Sequence, residues 1–148
     1  MRYLTDSHTM KAVDNCSIHE FGIPSVVLME RAALGVSAFL RKHAEHNNKK
    51  TGIKVVCVCG SGNNGADGLA AARQLVFAGT SEGTDEYRLQ KSIVGNLGID
   101  CVEYDGNIDF SEYDYIIDAI FGIGLSRAVE GRYAQVIEAI NKARENPD

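Results

Sequence analysis

No stretch of this chain is strongly basic, none is apolar for long, and cysteine is sparse. Apart from Arg41-Lys42 and Lys49-Lys50 the cations are dispersed. Across 148 residues, 20 acidic side chains face 15 basic ones, for a net charge of −5. Bulk attraction to a nucleic-acid backbone is thereby excluded. An anionic small molecule would have to be held by local backbone amides instead. The longest apolar runs fall far short of a membrane span, so no membrane segment is expected. Cysteine is too thin for a disulfide scaffold and no secretory leader is expected, which points to the cytoplasm and to reduced thiols. Repeats, low-complexity tracts and linkers are lacking as well. A single domain over residues 1–148 is the expectation.

What is present alternates between helical and extended patterns. Thr5, Asp6 or Ser7 can cap a first helix that Gly22 would stop. From Ser25, expected as a cap, Val26, Met29, Ala32, Ala33, Val36 and Leu40 recur at helical spacing. IKVVCVCG reads as a buried strand closed by glycine. Its Cys57 and Cys59 lie two apart and so share one sheet face, as a zinc pair or, the favoured reading, as small buried hydrophobes. LAAARQLV reads as a helix, and VFAG as its last turn or a short strand. Thr84 caps a further helix with Leu89, Ile93 and Leu97 as its inner stripe. DCVEY and DYIIDAIFG read as strands. Tyr133, Val136, Ile137 and Ile140 mark a last helix that stops before Pro147. Strands alternating with helices imply a Rossmann-like, doubly wound α/β sandwich of three layers. Its sheet is mainly parallel, and two extra helices precede it.

Ligands of such sheets bind beyond the carboxyl ends of the strands, where two segments have unusual composition. GSGNNGADG follows the first strand. Its glycines permit positive φ and close backbone approach, and its amides with the next helix start suit a phosphate. The same stretch could be a tight turn in which Asn64 or Asp67 caps the helix. It spells neither G-x-G-x-x-G nor a Lys-Ser/Thr phosphate loop, so neither hydride transfer nor triphosphate hydrolysis is supported. FGIGLSRAVEG follows the second clear strand, which Asp118 interrupts. A carboxylate there is costly unless paired, metal-bound or bonded to loop amides. Asp118 and the Asn64 carbonyl would be hard oxygen ligands for a cation, and no His/Cys cluster favours a transition metal. Arg127 suits a phosphate or is an ordinary surface charge. The four histidines suggest no catalytic arrangement.

GNNGADGLAAARQL, IHEFGIPSVVLMERAAL and DAIFGIGLSRAVEGRYAQVIEAIN together resemble, in order and spacing, the signatures of the NAD(P)H-hydrate epimerases, the family of the YjeF N-terminal domain. The resemblance implies an isomerase of metabolite repair that interconverts the R and S hydrates of NADH and NADPH at C6 of the nicotinamide ring. A companion ATP- or ADP-dependent dehydratase would then consume one epimer; a homodimer is possible in such a family. It implies substrate contacts at Asn63, Asn64, Gly65, Ala66 and Asp67, and at Gly122, Ile123, Gly124, Leu125, Ser126, Arg127 and Ala128. It also implies one potassium ion on Asn64 and Asp118. Asp67 is the candidate proton donor or acceptor.

Three departures accompany the resemblance. Ala66 stands where the family has glycine, costing about 1–2 kcal/mol if φ must be positive and nothing if the position is helical. The segment VFAGTSEGTDEY is shorter than the family's by roughly a turn and half a strand. The family also continues past Asp148 into a strand and a D-I-P-S-G segment, with a further substrate-contacting aspartate and a further potassium-ligating serine. A chain without that segment would have an open sheet edge, and a non-catalytic nucleotide- or protein-binding module, or an inactive fragment, is the alternative function.

Overall fold

The computed structural model describes residues 5–47, 52–75, 84–99 and 101–145. Val-rich sequence forms strand β1, Val55–Cys59, and Tyr115–Ala119 forms β2. The two pair in parallel, Val55 opposite Tyr115 through to Cys59 opposite Ala119. Side chains alternate across a strand, so Cys57, Cys59, Ile117 and Ala119 face one way. Val56, Val58 and Ile116 face the other, joined by Ile120 just past the strand.

The first face is covered by α2 (Ser25–His46), α3 (Asn63–Leu75) and α4 (Asp85–Asn96). Met29, Ala33, Leu69, Ala70, Tyr87 and Val94 build that core. Leu69 is fully buried, a placement worth roughly 1.5–3 kcal/mol against leaving it in water. The opposite face carries α5 (Gly131–Glu145) and a short 3₁₀ turn at Phe110–Glu112. Phe110 and Val136 are buried there, with Tyr133, Ile137 and Ile140 packed around them. Helices on both faces of a parallel sheet give the expected doubly wound α/β sandwich. The first helix, α1 (Ser7–His19), buries no residue and is capped by Asp6, whose Oδ1 accepts the Thr9 amide at 2.7 Å.

Polar contacts lock α2 to its neighbours. Arg73 of α3 pairs with Glu30 of α2 and donates to Gln90 Oε1 of α4 at 3.3 Å. Ser37 donates to Gln74 Oε1 at 2.7 Å.

Several expectations are corrected. Pro24, not Ser25, occupies the cap position of α2, and the Ser25 hydroxyl donates to Glu86 Oε1 at 3.0 Å. The buried stripe of α2 is Met29, Ala33, Ser37 and Ala44, with Ala32 and Val36 turned to solvent. Thr84 does cap α4, its Oγ1 accepting the Tyr87 amide at 3.2 Å. Yet Leu89 and Leu97 are 48% and 59% exposed, and Tyr87, Gln90 and Val94 point inward. Of the expected strand DCVEY, residues 101–104 form no strand, and residue 100 lies outside the described residues. The paired cysteines are free and buried in the core, as the hydrophobe reading expects. The VFAG segment lies outside the described residues.

Candidate active site

The two strands end side by side, and both loops start from that point. The Gly60 amide donates to Ala119 O at 3.0 Å. A Cβ on Gly60 would stand 2.1 Å from Ile120 O, so only glycine fits. Helix α3 already begins at Asn63, which leaves a loop of very few residues between strand and helix. Gly65 and Gly68 of GNNGADG therefore act as contact points inside a helix, while Gly62 precedes it with open space around it. A Cβ on Gly65 would lie 1.7 Å from Gly60 O, and one on Gly68 would lie 2.4 Å from Ala119 Cβ. Among the described residues glycine takes positive φ at 22, 52, 98, 106 and 131; none lies in GSGNNGADG, and Gly131 closes FGIGLSRAVEG at the start of α5. The positive-φ expectation is corrected accordingly. Ala66 is helical and buried in the core, so its methyl group carries no backbone strain.

Beyond these strand ends lies a cleft of about 850 Å³. Asn63, Asn64 and Asp67 on α3 form one wall, and residues 122–127 form the wall opposite. The walls touch: a Cβ on Gly122 would stand 3.4 Å from Asn64 Oδ1. The second loop is folded by a turn in which the Leu125 amide donates to Gly122 O at 3.2 Å. Of the expected contact residues, Gly65 and Ala66 sit behind the cleft wall as packing residues, and Ala128 does not line it. None of the histidines reaches it.

Asp67 is the chemically distinctive group. Burial, and secondarily the negative charge of Asp14, push its pKa up from 3.8 to about 6. A carboxyl so placed gives and takes protons near neutrality, as general acid–base chemistry requires. Seven lining residues were not among the expected contacts: Ser61, Gly62 and Phe121 within the two singled-out segments, and Lys11 and Asp14 from α1, Ile120 and Tyr133 outside them. The rings of Phe121 and Tyr133 lie 5.0 Å apart, tilted by 57°, and form an aromatic patch at the cleft. Tyr133 carried a signal only as part of an apolar helix stripe. Lys11 and Asp14 carried none.

Asp118, the next-to-last residue of β2, stands opposite Val58 and is exposed, its Oδ1 accepting the Ile120 amide at 3.0 Å. It does not line the cleft. Its second oxygen and Asn64 Oδ1 are oxygen donors of the hard kind that suit a monovalent cation such as potassium. No cluster of three or more His, Cys, Asp or Glu capable of holding a metal occurs among the described residues. No helix among them is long and apolar enough to cross a membrane.

A family model described as YjeF-related protein N-terminus matches residues 25–147. The chain is similar to proteins named NAD(P)H-hydrate epimerase. It is 41% identical to that of Limosilactobacillus fermentum, over 90% of this chain and 66% of that protein. It is 40% identical to that of Oenococcus oeni, over 88% of this chain and 64% of that one. The chain thus spans about two thirds of the length of these relatives. In fold it superposes on the crystal structure of yeast ynu0, YNL200c, with a TM-score of 0.83 at 21% identity, covering 97% of this chain and 67% of that one.

Proposed function

The chain belongs to the family of YjeF-related protein N-termini, and on that premise we propose that it is an NAD(P)H-hydrate epimerase, interconverting the R and S hydrates of NADH and NADPH. The observation that carries the proposal is the meeting, in one cleft, of two strand-end loops with a carboxyl poised near neutrality. The hydrate bears its hydroxyl on C6, beside the ring nitrogen, so the C6–O bond can break with help from the nitrogen lone pair. Protonated Asp67 gives its proton to the departing hydroxyl, which leaves as water. The carboxylate then takes a proton from the water that adds to the other face of the ring. The same bond breaks and forms, and nothing is oxidised or reduced.

Phe121 and Tyr133 offer the ring an apolar seat. The amides of residues 122–127 and the Arg127 guanidinium are suited to the phosphates. Asn64 and Asp118 would hold a potassium ion, which would supply a fixed positive charge to the site. The proposal extends, on the family resemblance alone, to a homodimer and to a companion dehydratase that consumes one epimer. Four free thiols favour a reducing cytoplasm as the place of action.

The test is the R-to-S interconversion of NADPH hydrate, followed with and without potassium. The expected result is a rate above the spontaneous one that rises with potassium. Folded protein giving only the spontaneous rate would refute the activity. Tight dinucleotide binding in calorimetry without turnover would instead identify a non-catalytic module of the same fold.

A further inference from the structure

Helix α1 packs lightly: it buries no residue fully, only Cys16, Ser17 and Ile18 at its end are half-buried, and it precedes the segment matched by the family model. Yet Lys11 and Asp14, three residues apart and hence on one helix face, both line the cleft. The Lys11 ammonium reaches across to the second loop, its Nζ 3.7 Å from where a Cβ on Gly124 would stand. A surface lysine ordinarily carries its charge outward to water. Here the charge lies over a loop that also carries Arg127, three residues beyond Gly124. The second loop is thus the cationic side of the cleft, and Asp67 with Asp14 is the acidic side. That separation suits a ligand with an anionic tail and a head that exchanges protons.

We propose that Lys11 is a substrate-binding residue whose ammonium holds a phosphate of the dinucleotide, making α1 a working wall of the site; this rests on the reading of the cleft as a dinucleotide site. Two phosphates could serve, the pyrophosphate common to both hydrates and the 2′-phosphate of the NADPH form. The chemistry is the same, and the ligands separate them.

The experiment is calorimetry with ADP-ribose and with 2′-phospho-ADP-ribose on the parent chain and on Lys11→Ala, Lys11→Arg and Lys42→Ala. Lys42 is an exposed lysine of α2 away from the cleft and controls for bulk charge. Lys11→Ala should weaken binding by about ten-fold, as loss of a charged hydrogen bond does, while Lys11→Arg and Lys42→Ala stay near the parent. Equal losses for both ligands assign the pyrophosphate, and a loss confined to the second ligand assigns the 2′-phosphate. Hydrogen exchange should also slow across residues 7–19 when ligand binds the parent, and not in Lys11→Ala. Binding by Lys11→Ala within about two-fold of the parent for both ligands, or an equal loss in Lys42→Ala, overturns the role of Lys11 alone. Failure of the parent to bind either ligand overturns the dinucleotide reading and this inference with it. Binding without epimerisation refutes the activity but supports the assignment of Lys11.

Discussion

Replacing Gly65 by alanine should destabilise the fold and open the cleft in one stroke. The added Cβ would stand 1.7 Å from the Gly60 carbonyl oxygen and 2.6 Å from its carbon, against 3.4–4 Å for an ordinary contact. Both partners are backbone, so no side chain can swing aside. The helix start must move off the strand end, or the loop must give way. Overpacking of this kind costs about 1–3 kcal/mol and occasionally more. Against it stands the better helix propensity of alanine, worth at most about 1 kcal/mol. The steric term wins because the clash is with rigid atoms at half the normal separation. A net loss of about 2 kcal/mol lowers Tm by roughly 5–10 °C in a chain of this size. Gly35 supplies the opposite case. It lies within α2 at ordinary helical φ, with nothing within 4 Å of an added Cβ. Gly35→Ala should therefore raise stability by about 0.5–1 kcal/mol. Differential scanning calorimetry of both variants is the assay. If Gly65→Ala melts with the parent, the close approach of α3 to the strand end is wrong, and so is the cleft built on it.

Three further predictions concern titratable groups. In Asp67→Asn the epimerisation rate should fall by about 10²-fold or more, as loss of a general acid–base group does. The linkage has a definite sign. The folded-state pKa of Asp67 is raised, from 3.8 to about 6, so the native state holds the proton more tightly than the unfolded one. Ionisation therefore costs the fold stability as pH rises across that interval. Denaturation curves should show the parent losing stability relative to Asp67→Asn between those values and a constant difference above them; a parallel pH dependence would refute the burial of Asp67. The thiols give a simpler count. Burial pushes Cys57 up from 9.0 to about 12 and raises Cys59 as well, while Cys16 and Cys101 are only half-buried. For Cys57 that lowers the reactive thiolate at neutral pH by roughly a thousand-fold. A thiol reagent should modify Cys16 and Cys101 in the folded protein and all four cysteines only in denaturant, read by mass spectrometry.

The parts of the fold legible in the sequence are those where one residue property decides the outcome. Runs rich in Val or Ile and closed by a nearby glycine became β1 and β2, and Thr84 capped α4 as a threonine in that position does. The inner stripe of α4 was not legible. Counting apolar residues selected Leu89 and Leu97, but Gln90 enters the core by accepting from Arg73, and a hydrophobic count gives a glutamine no credit for a partner on another helix. DCVEY reads as a strand, but among the described residues no third strand pairs with β1 or β2 to supply a ladder.

The glycines show the same limit from the other side. Glycine has two uses, positive φ and close approach, and a single sequence cannot say which applies. Positive φ would have made GNNGADG a flexible cradle and Ala66 a strained exception. Close approach makes it the rigid start of α3, pressed onto the strand ends by Gly60, Gly65 and Gly68, with Ala66 an ordinary core residue. The spacing carries the distinction: Gly65 and Gly68 are one helical turn apart and meet the strand-end backbone and side chains in sequence. A cleft wall built this way is fixed before any ligand arrives, so Asn64 and Asp67 stand on a helix braced from behind. Preorganisation of that kind would let the proposed proton chemistry run without assembling the site at each turnover.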